Sequence, residues 1–444
     1  MAPNHDEQMN MRRERREAHR RKQESERRRI KIALVAAVVI LIGCGVGLFF
    51  MTQKAGEVSA NAGVQPATQE TTKPVRETTE ATEAGKTLRG LQSPTTIHIK
   101  AAGDLNITNS VVSAGLAATG YDYTRAFMDV AAVLSDADLT VLNLEGNISG
   151  EPYGSETTSA PAELLEGLRN AGVDLVQTAN SRSIQNGLIG LTSTLRAVKD
   201  AGIAPVGSFS SPSEFQKTKG YTICNVKGVK VAFVGFTKGF LGMGLPTGNE
   251  DCVNLLYKDY ASTYDEIDKD GINAILKNVA AEEPDITIAL VHWGSENNES
   301  VSGTQKSIVS LMKKAGVDVV LGTHSHLLQY IEFDELKGTL VAYSLGDFFG
   351  DAIEGGTNYS IILDLEITKD PAAGTTKVVN YSYTPIYTLK EGECDGYRRV
   401  VRIEEAMIAY NANFVDKVSD TAFAGMEKAM TRIPQRLTPP VEED

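Results

Sequence analysis

Three of the six histidines in this 444-residue chain, His292, His324 and His326, each follow a short apolar run. The segment Gly322-Thr323-His324-Ser325-His326 closes the run Val317 to Leu321. Side chains two residues apart share one face of an extended chain, so the last two imidazoles are expected side by side at a strand end, a spacing suited to metal binding. The remaining histidines carry no such signal: His5 and His19 lie in a basic tail, and His98 stands alone. Carboxylates fall at comparable places. Gly103-Asp104 follows a first strand-like run, and Asn143-Leu144-Glu145 closes a second. Two carboxylates and three imidazoles form an oxygen and nitrogen donor set for one or two divalent transition ions such as Zn, Mn or Fe. A single Gly-Asp pair usually makes a turn and a lone His usually fills a core or surface position. It is the ordered set that carries the signal.

The elements that must position these residues alternate along the chain. Strand-like runs are Thr96 to Ala102, Leu139 to Leu144, Asp174 to Thr178, Ile203 to Val206, Ile286 to Trp293, Val317 to Leu321 and Leu340 to Leu345. Helical periodicity fills the intervals at Tyr123 to Leu134, Pro161 to Ala171, Leu188 to Ala201, Ile267 to Ala281 and Gln305 to Ala315. Lys227-Gly228 between Tyr221 to Val226 and Val229 to Phe236 predicts a hairpin. The rhythm predicts one layered α/β domain over residues 93–400 with its site at strand C-terminal ends.

Composition frames the rest. A hydrophobic content of 42% is normal for a packed globule. Residues 1–31 hold eleven Lys or Arg against six acids, a surplus of five, while the whole chain carries −13, which leaves the remainder near −18. Residues 32–51 are twenty apolar or uncharged positions without proline. At about 1.5 Å per residue they cover the roughly 30 Å hydrocarbon core of a bilayer. The cations before them predict an N-terminus retained in the cytoplasm and a single-pass signal anchor with the main domain outside the cell membrane. Leu41-Ile42-Gly43-Cys44 offers the alternative of a cleaved lipoprotein signal, but the residues after Cys44 stay apolar where a lipoprotein tether turns polar.

Residues 52–92, rich in Thr, Glu, Ala and Lys, are expected to form a disordered extracytoplasmic linker with a mean reach on the order of 35 Å. Residues 401–444 are expected to be a helical segment, Ile403 to Met430, and a Pro-rich tail, Pro434 to Pro440. A bridge between Cys252 and Cys394 is possible, but the sequence does not establish the connectivity. No basic, aromatic-interleaved stretch lies beyond the tail, so no nucleic acid is expected as a partner.

Six motifs in order carry a family resemblance: Gly103-Asp104-Leu105, Asn143-Leu144-Glu145, Ala179-Asn180 with Gly187 and Gly190, Val291-His292-Trp293-Gly294 with Glu296, Gly322-Thr323-His324-Ser325-His326, and Tyr343-Ser344-Leu345-Gly346-Asp347-Phe348. Over about residues 95–390 the chain resembles the CapA family of poly-γ-glutamate capsule biosynthesis proteins, whose domain is similar to calcineurin-like metallophosphoesterases. The resemblance implies a four-layer α/β sandwich, two packed sheets flanked by helices. It implies Asp104, Glu145, His292, His324 and His326 as the metal-facing residues. Asn180 and Arg182 are expected at catalytic positions of the third motif, and Arg182 and Glu296 are expected to contact substrate. The resemblance also implies a divalent metal, Mn, Zn or Fe, and action in capsule or poly-γ-glutamate biosynthesis or export.

The third motif departs from that pattern. The family normally has Ala-Asn-Asn-His, then Asp three residues after the His and Gly two further on; this chain has Ala179-Asn180-Ser181-Arg182, with Gln185 and Gly187. In related phosphoesterases the second Asn bridges into the metal site, and the His contacts the phosphate and supports leaving-group departure. Serine is a poor metal ligand, and arginine stays protonated and cannot act as general acid or base. At most one ion and weakened or absent hydrolysis are therefore expected. Arg182 either clamps an anionic substrate or swings to solvent. Two smaller departures accompany it. Thr323-His324-Ser325-His326 stands for His-His-Pro-His. Asp347 replaces an Asn, and is expected to be a solvated turn residue unless its carboxylate joins the metal or shifts a neighbouring pKa.

The acidic ectodomain would repel an anionic polymer, so recognition must be focused at the metal or at Arg182. Two functions remain open. One is a metal-dependent phosphoesterase-like hydrolase of the capsule pathway. The other is a degenerate, non-catalytic subunit that binds an envelope polymer or assembles with capsule synthase subunits, while membrane lipid surrounds the anchor.

Overall fold

The computed structural model describes residues 93–353, 355–393, 395–412 and 418–441. The expected basic tail (1–31), signal anchor (32–51), linker (52–92) and Cys394 lie outside the described residues. Among the described residues no helix is long and apolar enough to cross a membrane.

Two sheets carry the fold. In the first, β1 (Thr95–Asn106), β2 (Leu139–Glu145), β3 (Leu175–Gln177) and β4 (Ala204–Val206) run parallel. In the second, β5 (Thr222–Val226) forms an antiparallel hairpin with β6 (Val229–Thr237). There β6, β7 (Ile286–His292), β8 (Val319–Thr323) and β10 (Thr339–Leu345) are parallel, and β9 (Leu328–Asp334) is the antiparallel edge. The chain then returns to the first sheet. There β11 (Asp347–Phe349) pairs with β1, and β12 (Tyr359–Asp370), β13 (Thr375–Leu389) and β14 (Arg399–Arg402) extend its antiparallel side.

Every residue of Ile286–His292 is buried, as an inner parallel strand covered on both faces requires. The β5–β6 hairpin turns on Lys227 (φ 48°) and Gly228 (φ 82°), the two positive φ values that a tight two-residue turn needs.

The helices are α1 (Asn109–Ala114), α2 (Thr124–Ser135), α3 (Glu163–Asn170), α4 (Gly187–Asp200), α5 (Pro212–Thr218), α6 (Lys269–Ala280) and α7 (Gly303–Lys314). Ser302 and Gln305 form a reciprocal capping box that starts α7, and Asp268 caps α6. Apolar side chains of the two sheets, among them Ile97, Val141, Phe233 and Ile288, pack against each other in one core. Helices α2 and α3 cover the outer face of the first sheet through Phe127 and Leu168, and α6 and α7 that of the second through Ile272 and Ile308. The layers are helix, sheet, sheet, helix.

The C-terminal part differs from expectation. It forms α8 (Ile403–Asn411) and α9 (Asp420–Leu437), and Pro434 lies inside α9 instead of in a tail. Ala422, Met426, Ala429, Ile433 and Leu437, spaced three and four apart, are buried in the inter-sheet core. Burial of that stripe outweighs the backbone hydrogen bond that proline removes. Cys252 is buried with a free thiol, which does not support the Cys252 to Cys394 bridge.

Candidate metal centre

The C-terminal ends of β1, β2 and β7 and the loop after β8 meet where the two sheets face each other. Close backbone approach makes this possible. A Cβ on Gly103 would lie 1.8 Å from the Gly346 carbonyl oxygen, and one on Gly322 2.0 Å from that of Tyr343, so both positions require glycine. With Gly103 in place, the Asp104 N–H donates to Gly346 O at 2.9 Å, and Asp104 stands in parallel register with Asp347.

Asp104 is fully buried. Its Oδ1 accepts from Asn143 Nδ2 at 2.6 Å, and its Oδ2 accepts the backbone N–H of His324 at 3.0 Å. His292, also fully buried, places Nδ1 3.0 Å from Thr323 Oγ1 and Nε2 3.4 Å from Glu145 Oε1. Ser181 Oγ lies 3.0 Å from His292 Nε2 and 3.4 Å from His324 Nδ1, bridging the two rings. His326 Nδ1 meets Asp347 Oδ1 at 2.8 Å and lies 3.8 Å from Asp104 Oδ2.

Two expectations are corrected here. The His324 and His326 pair is not on an extended strand: β8 stops at Thr323, and the backbone turns with φ of 90° at His324 and 57° at His326. Left-handed φ in non-glycine residues is strained backbone, held by the Asp104 bond to His324 N–H and by Ser325 Oγ, which donates to Leu327 O at 2.6 Å. The turn swings the His324 ring to 4.5 Å from that of His292. Asp347 is not a solvated turn residue but 5% exposed, because β11 pairs it against β1 and His326 holds its carboxylate.

The other expected site residues surround these. Asn180 is buried and fully engaged in bracing the loop: Nδ2 donates to Leu144 O at 2.7 Å and Asn143 Oδ1 at 3.1 Å, and Oδ1 accepts from Arg182 N. Arg182 is half-buried, with its guanidinium 3.5 Å from Gln185 Oε1 and close enough for its charge to act on His292. Glu296 is exposed on the loop after β7, where its charge acts on Lys238. Asn143, Thr323 and Lys238 join the site without a role expected from the sequence, and Ser181, a poor ligand by residue type, bridges two of its rings. Asn143 was already within a quoted motif, one strand pleat from Glu145. Lys238 directly follows β6, where Thr-Lys-Gly gives only the signal of a turn.

Six side chains that could ligate a metal divide into two groups. Glu145, His292 and His324 form one, Asp104, His326 and Asp347 the other, and within each group one ligand atom per residue lies within 4.8 Å of the others. The donors fit a divalent ion on two further counts. Glu145 Oε2 is buried without a hydrogen-bond partner, an expensive state for a carboxylate oxygen unless a cation satisfies it. Burial, reinforced by the charges of His326, Lys238 and Arg182, pushes His292 down to about 3 despite Asp104, and burial also holds His324 well below the ordinary imidazole range. Both rings are therefore neutral and keep a lone pair for ligation. Burial and the neighbouring Glu145 raise Asp104. His326 runs the other way: burial lowers it, but Asp347, Glu145 and Asp104 together outweigh burial and raise it well above its ordinary value.

The sequence profile of the family described as bacterial capsule synthesis protein PGA_cap matches residues 98–352, which include every residue of this centre. The chain belongs to that family. Within it, this PGA_cap member is 29% identical over 199 residues to the capsule biosynthesis protein CapA of Bacillus anthracis, covering 44% of this chain and 44% of the relative. It is 26% identical over 269 residues to the PGA biosynthesis protein CapA of Bacillus subtilis strain 168, covering 58% of this chain and 63% of the relative. Less than two thirds of either relative's length is matched. Among solved structures, it is similar to the calcineurin-like phosphoesterase YfkN from Bacillus subtilis, with 17% identity and a TM-score of 0.41 over 77% of this chain and 98% of that one.

Proposed function

We propose that this PGA_cap protein is a membrane-anchored, extracytoplasmic component of capsule or poly-γ-glutamate biosynthesis or export, and that its buried centre is a divalent-metal site for phosphoesterase-like hydrolysis. The observation that carries the chemistry is the pair of three-residue groups able to hold a metal, with Glu145 Oε2 buried and unpartnered. The basic tail and the apolar span at 32–51 support the anchor.

When bound, a divalent ion supplies Lewis acidity at a phosphoryl or acyl group. The side chains do the rest. His292 and His324 offer neutral nitrogens, and Asp104, Glu145 and Asp347 offer oxygens. Asn143 and Thr323 hold Asp104 and His292 in orientation, as partners behind a metal ligand do. Arg182 holds an anionic group and, always protonated, moves no proton. Hydrolysis is accordingly slow.

That same Arg182, together with Ser181, favours a second function, a non-catalytic subunit that binds an anionic envelope polymer or docks on membrane synthase subunits. An assay of the detergent-purified full-length protein with a generic phosphodiester and added manganese separates them. Slow turnover that EDTA abolishes is expected. No turnover and no bound metal would eliminate the hydrolase and leave the binding subunit.

A further inference from the structure

A groove of about 620 Å³ runs between α7 and the outer face of β9 and β10. Asp318, which leads into β8, and Thr339, which begins β10, both line it, so it sits at the end of the second sheet opposite the metal centre. The five residues of β8, about 16 Å at about 3.3 Å per residue, separate it from His324. Lys306, Ser310 and Lys313 share one face of α7 at spacings of four and three, Lys314 follows, and Lys337 enters from the β9–β10 turn. In a chain of net charge −13 this row of lysines is a local exception. The acids of the groove each have a partner inside the protein. Asp334 pairs with Lys337 at 2.7 Å, Glu332 Oε1 accepts from the Tyr343 hydroxyl at 3.4 Å, and Asp318 Oδ2 accepts the Thr287 N–H at 2.8 Å. Lys306 bonds to the Tyr330 hydroxyl, and an ammonium with three donors can hold that oxygen and a ligand together. Half-buried Lys313 and exposed Lys314 differ: among the described residues neither is ion-paired with a carboxylate, and Lys313 acts on Asp334 through its charge only. The partial negative charge at the C-terminal end of α7 offsets about half of one lysine and leaves the rest. Val309, Val317 and the Tyr343 ring give the floor an apolar part.

We propose that this groove binds a linear polycarboxylate, whose successive carboxylates meet Lys306, Lys313 and Lys314 along α7 while its carbon backbone lies on the apolar floor. The assignment rests on the capsule-polymer role proposed above and not on hydrolysis at the metal centre. Seven positions of helix place Lys306 and Lys313 about 10 Å apart along the axis, at about 1.5 Å per residue. Single charges spread over that length match a polymer with one carboxylate per repeat, whereas a compact dianion such as phosphate meets the cations at one end only. Lysine, a point charge on a flexible stem, suits carboxylates that arrive in varied orientations. The acidic surface elsewhere repels the same polymer and so directs it to the groove.

The test is binding of poly-γ-glutamate to the detergent-purified full-length protein at low salt, measured by biolayer interferometry. Lys313→Gln with Lys314→Gln is expected to weaken binding about tenfold, and Lys313→Arg with Lys314→Arg to keep it within about threefold, which separates lost charge from a folding defect. Lys428→Gln with Arg432→Gln, an equal loss of charge on α9, is expected to change binding little. Binding that the groove pair leaves unchanged, or that the α9 pair weakens as much, overturns the groove and leaves polymer recognition elsewhere on the protein intact. Free glutamate or phosphate that binds as tightly as the polymer overturns the assignment to a polymer, and polyphosphate that binds more tightly through the same lysines overturns the assignment to carboxylates. No polymer binding by the wild type overturns the groove together with the polymer-binding function, while the hydrolase is judged separately by its turnover with manganese.

Discussion

Glu145 Oε2 lies 3.9 Å from His326 Nε2, buried and without a hydrogen-bond partner, although the imidazolium of His326 is the nearest opposite charge. The two residues belong to different ligand groups, and the gap between them is too long for a hydrogen bond. A centre built only for stability would have closed it.

Replacing that carboxylate separates a metal site from a structural one. Glu145→Gln removes a buried negative charge that raises Asp104 but also favours the charged form of His326, so the two effects oppose each other and the metal-free protein is expected to melt close to wild type. The variant is also expected to lose the stabilisation that metal gives, about 2.7 kcal/mol at a free concentration a hundred times Kd. Differential scanning calorimetry with and without manganese checks both; a variant that metal still stabilises as strongly as wild type would contradict the assignment.

Metal uptake is expected to strengthen as pH rises. His326 is held protonated well above its ordinary range, and its proton must leave before the nitrogen can bind an ion. Affinity therefore climbs with pH until His326 has lost its proton, well above the ordinary imidazole range, with release of about one proton per ion. Asp347→Asn, which removes the carboxylate 2.8 Å from His326 Nδ1, should lower that proton's affinity and shift the rise to lower pH. Zinc titrations across pH in the two proteins measure the shift.

The exchange of proton chemistry for charge at the third motif is reversible in principle. Ser181→Asn with Arg182→His restores the family residues and is expected to raise phosphodiester turnover, with a gain of up to about 10²-fold to 10⁴-fold if the new imidazole works as general acid. An unchanged rate would show that Ser181 and Arg182 are not what limits hydrolysis.

The close approach of β1 to the turn before Asp347 is a packing requirement with a chemical consequence. Gly103→Ala would push a Cβ into Gly346 O, now 1.8 Å from that position, and force Asp104 away from Asn143 and His324. Loss of at least about 1 to 3 kcal/mol of stability is expected, together with weaker metal uptake. Thermal melting and metal analysis on the same preparation would show the two falling together.

Much of this centre was legible in the sequence because most of its candidate ligands sit at, or just past, the C-terminal ends of buried strands. Val-rich and Ile-rich runs such as Ile286–His292 announce such strands, and the residue that ends the run is then a site candidate. The mixed strands were not legible. In β13, Thr375–Leu389, buried and exposed positions follow no strict alternation, and lysine, asparagine and threonine dilute the apolar signal. Asp347 was read mainly as a solvated turn residue, and Lys238 was missed, for a different reason. Each follows a residue pattern typical of turns, and only long-range pairing makes it part of the site: β11 with β1 for Asp347, and β6 with β7 for Lys238. The local bend at His324 and His326 was hidden as well, since nothing in Thr-His-Ser-His calls for positive φ at non-glycine residues.

The central claim is that the Glu145 and His292 cluster is a metal site, and metal analysis of the full-length protein tests it most directly. Wild type and Glu145→Gln would be stripped with chelator, reloaded with manganese or zinc, desalted and measured side by side. The account predicts stoichiometric metal in the wild type and a large loss in the variant. A wild type that retains no metal, or a variant that retains as much as the wild type, would contradict it.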